Sequence, residues 1–239
     1  GKEIRLGSAA SAMWGMTTTV TSNGSVNSMH DSQTPLSGMM QMLNMQINCW
    51  FGGVGVGWMN YFTFLIIAVF ISGLMVGRTP EFLGHKVEAR EMKIAPMVVL
   101  LHPFLILVGT GVSAFIASGN PNIGWLNNPS FHGLSEMLYE YTSAAANNGS
   151  GFEGLGDNTP FWNITTGIVL IMGRYFPIVG QVAIAGLLAN KKYIPESAGT
   201  LRTDTGTFSL MTFAVIVIVA ALSFFPALAL GPIADYLSI

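Results

Sequence analysis

Four uninterrupted apolar windows, residues 58–77, 94–117, 162–190 and 208–230, leave this chain few folds to choose from. A helix needs about 20 predominantly apolar residues to cross a bilayer core, and each window reaches that length. In lipid every backbone N–H and C=O must be paired within its own segment, so each window is read as a helix. Of the 239 residues only 9% are charged, against about 25% in soluble domains. The expectation is an all-α integral membrane protein with four spans, and only the third span carries a charge, Arg174.

The remaining charges set an orientation. Arg78, Lys86, Arg90 and Lys93 fall in 78–93, and Lys191, Lys192 and Arg202 in 191–207, while 21–49 and 118–161 hold no Lys or Arg. The positive-inside bias places the two basic loops in the cytoplasm and the segments around Asn23-Gly24-Ser25 and Asn148-Gly149-Ser150 outside. Lys2 and Arg5 run against this scheme. Residues 1–20 lack the basic-then-apolar order of a signal peptide, so secretion is not expected. A net charge of −2 gives no nucleic acid a reason to bind, and the single Cys49 leaves no disulfide or cysteine metal cluster to build.

Two segments are apolar and helix-prone but too short to cross, 7–20 and 133–146, and each runs into Asn-Gly-Ser, at Asn23-Gly24-Ser25 and at Asn148-Gly149-Ser150. The copies lie 125 residues apart. The same offset pairs Thr17-Thr18 with Thr142-Ser143 and Trp14 with Tyr139. One copy alone reads as a surface turn or a glycosylation sequon. Two copies in matched context read as re-entrant pore helices followed by non-helical backbone, permitted at membrane depth where it is buried in protein or lines a wet cavity.

Such a duplicated loop is the mark of an ion pathway. A potassium ion sheds its water only where oxygens replace it at similar number and distance, and rings of backbone carbonyls do so. Carbonyls turned to one axis require residues at φ > 0, which glycine supplies at no steric cost. Gly24 and Gly149 are the candidates for those positions, with Thr21, Ser22 and Asn23, and Ala146, Asn147 and Asn148, presenting the carbonyls. Arg174, near the middle of its span, is costly in lipid and so a functional candidate as a charge beneath the filter. Its other reading is a clamp on loose backbone carbonyls.

Other motifs are weaker. The glycines of 52–57 resemble a phosphate cradle, but they open a membrane helix rather than a soluble βαβ unit, so helix packing or local unwinding is expected there. Asp204-Thr205-Gly206-Thr207 resembles the phosphorylated loop of P-type ATPases without its lysine, and the protease Asp-Thr-Gly without a second copy. His102 is expected to pack, the methionines of 39–45 to form an adaptable apolar surface, and Pro103 and Pro177 to kink their spans. Glu81, Glu88, Arg90, Glu91 and Lys93 read as a solvated cytoplasmic face or a subunit-docking surface.

The runs Thr21-Ser22-Asn23-Gly24-Ser25-Val26-Asn27-Ser28-Met29-His30-Asp31, Gly73-Leu74-Met75-Val76-Gly77-Arg78-Thr79-Pro80-Glu81, Glu88-Ala89-Arg90-Glu91-Met92-Lys93, 142–150 and 224–232 strongly resemble the potassium-binding A subunit of the bacterial Kdp potassium-transporting ATPase, the KdpA family, within the superfamily of K⁺ transporters. The resemblance implies channel-like helix, pore-loop, helix repeats. It puts a pore helix, filter strand and second helix of a third repeat in 1–77, a cytoplasmic loop in 78–93, a complete fourth repeat in 94–190, a second loop in 191–207 and a final helix in 208–239, the C-terminal part of the family. Thr21 to Gly24 and Ala146 to Gly149 match filter strands that bind K⁺, and Arg174 the intramembrane arginine under the filter. It also implies K⁺ as the transported ion, no nucleotide and no catalytic site on this chain, and an inner-membrane location. ATP hydrolysis would fall to a P-type catalytic partner alongside small accessory membrane subunits. Asn48-Cys49 stands where the family pattern has Gly-Glu. A Trk- or Ktr-like K⁺ channel-transporter is the alternative, disfavoured by the length of the matching runs.

Overall fold

A computed structural model describes residues 1–195 and 200–239, so 196–199 of the expected 191–207 loop lie outside the described residues. Four helices are long and apolar enough to cross a membrane: α4 (Val56–Val76), α5 (Ala89–Gly119), α7 (Pro160–Ala189) and α8 (Gly206–Leu228), the last prolonged by a π-turn (Ala229–Ile233) into α9 (Ala234–Ser238). Their apolar residues do not need a protein neighbour, since only 11% of the α7 window is buried. Apolar faces of that extent are stable in lipid and not in water. Pro103 and Pro177 sit inside unbroken α5 and α7.

The helix starts follow from the sequence. Thr159 and Thr205 accept from the backbone N–H three residues on, of Trp162 at 3.4 Å and Phe208 at 3.2 Å. Glu88 and Glu91 form a reciprocal capping box on α5.

Shorter helices fill the remainder: α1 (Lys2–Arg5), α2 (Ser8–Val20), α3 (Pro35–Ile47) and α6 (Phe131–Ala146). Helix α6 is the buried axis of the fold, packed by α5, α7, α3 and the π-turn, and its Tyr139, Tyr141 and Leu138 join Met42, Met45 and Trp162 in the larger core. A second core gathers Phe64, Ile67, Val69, Phe82 and Ile216 around α4 and α8. Met42 and Met45 are therefore core residues, and not an outer apolar surface.

The stretch 21–49 is not all loop: it contains α3, which returns the chain to the end of α2, where Gly52 N–H donates to the Val20 carbonyl at 2.8 Å and Ser22 Oγ lies 3.4 Å from Asn48 Oδ1. Residues 48–55 thus connect α3 to α4 beside the first Asn-Gly-Ser loop. Asn48 stops α3 in the left-handed region, at φ 45°. Asn60 Nδ2 then holds its carbonyl at 2.8 Å and is itself held by Gln181 Nε2 at 2.8 Å.

Nor is 78–93 wholly solvated. Glu81 and Glu91 are buried. A two-strand hairpin, β1 (Glu81–Phe82) and β2 (His85–Lys86), folds back along α4 and sets Phe82 edge-on to Phe62. Lys191 Nζ meets Glu91 Oε2 at 2.8 Å and Glu88 Oε2 at 3.3 Å, pinning the end of α7 to the start of α5. Lys2, the orientation exception, donates to the Ser32 carbonyl at 2.8 Å and so lies at the end of the molecule that holds the loop after Ser25.

Candidate functional site

The two Asn-Gly-Ser loops share two hydrogen bonds and their pattern of positive φ. Asn23 N–H donates to the Thr18 carbonyl at 3.0 Å, and Asn148 N–H to the Ser143 carbonyl at 2.9 Å. Ser25 N–H donates to Asn23 Oδ1 at 3.0 Å, and Ser150 N–H to Asn148 Oδ1 at 3.1 Å. Ser22 and Asn147 take φ of 51° and 54°, Gly24 and Gly149 φ of 81° and 97°. Every one of these pairs is offset by 125 residues. The backbone that results alternates left-handed positions, which non-glycine residues adopt at a cost of about 1–3 kcal/mol unless the surroundings fix them.

The structure brings the loops together. Asn148 Nδ2 donates to the Thr18 carbonyl at 2.9 Å, and Gly24 lies so close to Asn148 that a Cβ on it would overlap the Asn148 carbonyl oxygen. Beside Gly149 the same construction meets open space. Both helices end here, α2 at Thr21 and α6 at Asn147, so two partial negative C-termini converge on one spot.

Beneath the loops lies a cavity of about 70 Å³, room for a few water molecules, lined by Gln46, Asn48, Asn60, His102, Asn147 and Arg174. Arg174 reaches this level because Gly173 packs against the end of α6, 2.5 Å from a built Cβ to the Ala145 carbonyl. Among the described residues its guanidinium makes no hydrogen bond or ion pair. The Gln46 amide is buried with both polar atoms unpaired. His102 Nε2 meets the Met45 carbonyl at 3.1 Å and its ring lies edge-on to Phe224, while Asp204 pairs with Arg202 at 2.8 Å.

One constellation escaped the sequence reading. His132, at the start of α6, faces two carboxylates, Asp31 Oδ1 at 2.7 Å and Asp235 Oδ2 at 2.8 Å, so it joins the segment after the first loop to α6 and α9. The Asp31 hydrogen bond pushes its pKa up to about 9, against burial, which works the other way. Asp31, His132 and Glu136 offer ligand atoms within 4.8 Å of one another. A metal ligand needs a bare nitrogen, whereas both nitrogens here face acceptors, the geometry of an imidazolium donating on each side.

Residues 1–237 match the family described as Potassium-transporting ATPase A subunit, KdpA. The chain belongs to the KdpA family. It is 78% identical to the potassium-transporting ATPase potassium-binding subunit of Phocaeicola vulgatus, 74% to that of Bacteroides fragilis and 66% to that of Flavobacterium johnsoniae, in each case over 100% of this chain and 43% of the relative. The chain therefore spans less than half the length of these KdpA relatives. The matches lend no support to the C-terminal placement expected above.

Proposed function

We propose that this chain supplies part of the potassium-binding path of an ATP-driven K⁺ uptake complex, with backbone carbonyls of Thr21, Ser22, Asn23 and Gly24 and of Ala146, Asn147, Asn148 and Gly149 as ion ligands. The observation that carries the reading is the pair of loops repeating the same hydrogen bonds 125 residues apart and touching at Gly24 and Asn148. Oxygen ligands replace hydration only if their positions are held against collapse, and the bonds on either side of each glycine hold them. The two re-entrant helices add their C-terminal dipoles. The relatives are named potassium-binding subunits, which favours potassium as the cation.

In this reading 1–77 is the pore helix, filter strand and second helix of one repeat, 94–190 is a complete repeat, 208–239 is a further transmembrane helix, and 78–93 and 191–207 are cytoplasmic loops of an inner-membrane protein whose filter loops face outside. Arg174, in the cavity shared with Asn147, sets a positive charge under the filter and makes passage straight down unfavourable for a cation. ATP is hydrolysed by a P-type partner subunit, accompanied by small accessory membrane subunits.

The test is uptake by the full-length subunit in its complex. Gly149→Asp puts a carboxylate into the open space beside the loop and is expected to weaken apparent K⁺ affinity by at least tenfold, about 1.4 kcal/mol. Unchanged affinity overturns the filter assignment. Arg174→Ala is expected to alter K⁺ selectivity with membrane insertion intact.

A further inference from the structure

Each loop is also tethered by an aromatic side chain that the ion-ligand reading does not use. Trp14 Nε1–H donates to the Ser25 carbonyl at 3.1 Å, and Tyr139 Oη lies 2.8 Å from Ser150 Oγ. Trp14 and Tyr139 are again 125 residues apart, as are Ser25 and Ser150, the residues directly after the two glycines. We propose that Trp14 and Tyr139 are positioning residues for ion selectivity, each fixing the rising limb of its loop. This inference rests on the potassium reading above.

The physical need is at the glycine. A residue without Cβ is free to swing through both signs of φ, and a ligand carbonyl attached to it swings too. On the entering side, the Asn N–H bond to the helix end stops that motion, Asn23 to Thr18 and Asn148 to Ser143. On the leaving side the serine N–H returns only to the asparagine side chain of its own loop, Ser25 to Asn23 and Ser150 to Asn148, and the aromatic side chain about two turns back ties that serine to the helix, through the Ser25 carbonyl in one copy and the Ser150 Oγ in the other. Discrimination among K⁺, Rb⁺ and Na⁺ depends on the number and placement of the oxygens, so loosening one anchor degrades selectivity before it degrades folding.

The two anchors differ in reach. Trp14 is half exposed and makes a single bond to a carbonyl. Tyr139 is fully buried and sits inside a line of contacts: His30 Nδ1 to Tyr139 Oη at 2.8 Å, on to Ser150 Oγ at 2.8 Å, Ser150 Oγ to Asn148 Oδ1 at 2.7 Å, and Asn148 Nδ2 to the Thr18 carbonyl at 2.9 Å. That line leaves the segment after the first loop, passes through the second loop and returns to the helix before the first. Tyr139 therefore registers the two loops against each other as well as anchoring its own, and its loss is felt by both.

The measurement is Rb⁺ and K⁺ uptake, with Na⁺ as competitor, by the full-length subunit in its complex carrying Tyr139→Phe or Trp14→Phe, with the amount in the membrane followed by immunoblot. Each substitution keeps a ring and removes the donor. Tyr139→Phe is expected to weaken apparent K⁺ affinity about tenfold and to lower the K⁺ over Rb⁺ preference, in keeping with one or two lost buried hydrogen bonds; Trp14→Phe, about threefold, the cost of one exposed bond. Ser150→Ala removes the other end of the Tyr139 contact without touching the ring, and should reproduce the Tyr139→Phe ratio if that variant is poorly inserted. An ion ratio unchanged in Tyr139→Phe and Ser150→Ala, while Gly149→Asp lowers K⁺ affinity, overturns this inference and leaves the filter reading standing. Unchanged affinity in Gly149→Asp overturns the filter reading itself.

Discussion

Twelve of the sixteen residues of α6 are buried, whereas α2 buries four of its thirteen, yet the loops that follow them fold alike. The second loop is enclosed by α5, α7 and α3; the first leaves Trp14 half exposed and Met13 mostly so. A shape that survives such a change of surroundings is written locally. Its determinants are the asparagine, whose N–H returns to the helix and whose Oδ1 accepts from the serine, and the glycine, which turns at positive φ. Packing contributes what differs between the copies: the buried loop has a network of side-chain bonds where the open one has single contacts.

The sharpest way to break this comparison is at the glycines. Gly24→Ala meets two penalties, a left-handed φ of 81° and an overlap with the Asn148 carbonyl, which is backbone and cannot step aside. Gly149→Ala meets only the first, since its Cβ faces open space. The left-handed conformation costs about 1–2 kcal/mol for a side chain, and an overpacked contact about 1–3 more. Thermal unfolding of the full-length subunit in detergent is expected to show Gly24→Ala as the more damaging of the two. Equal losses would mean that the loops do not touch as described.

A smaller effect separates the asparagines. Asn148 accepts from Ser150 N–H and Oγ–H and donates to Thr18, all out of water, while the side chain of Asn23 only accepts from Ser25 N–H near the surface. Truncating Asn148 to alanine strands the buried Ser150 N–H and takes from the Thr18 carbonyl one of its two donors, about 2–3 kcal/mol, against about 0.5–1 kcal/mol for Asn23. Matching losses in the same unfolding measurement would show that the network around Asn148 adds nothing to the local turn.

Local writing is also what made parts of this molecule legible in its sequence. The four spans, the two half-length helices and both Asn-Gly-Ser turns depend on apolar length and turn chemistry, and the helices lie within a few residues of the windows read from hydropathy. Hydropathy records where an apolar run begins and not what it meets, so the glycines of 52–57 read as helix packing or local unwinding without the bond that Gly52 makes to the end of α2. Charge reads as solvation, so Glu91 passes for a surface residue, although its lysine partner waits 100 residues downstream. The aromatic pair was visible as an alignment of Trp14 on Tyr139, but its role was not, because a hydrogen bond to a turn leaves no spacing signal. His132 had no signal at all: its two carboxylates lie 101 and 103 residues away in opposite directions.

His132 gives the finest test of the difference between the copies, since it ties down the helix of the second loop and α2 has no titratable residue to play the same part. Its ordinary pKa is near 6.5 and its folded value about 9. A raised folded pKa means that the folded state holds the proton more tightly, so the stabilisation is complete below about pH 6.5 and is lost as pH climbs through 9. The three side chains keep 11–19% of their exposure, so the effect is that of a partly screened ion pair, about 1 kcal/mol. Unfolding midpoints measured between pH 7 and 10 are expected to fall for the native sequence and to fall less for His132→Asn, which keeps a polar side chain but has no proton to lose. If the two curves run parallel, the clamp does not hold α6 by its charge, and the contrast between a tethered second copy and an open first one reduces to packing alone.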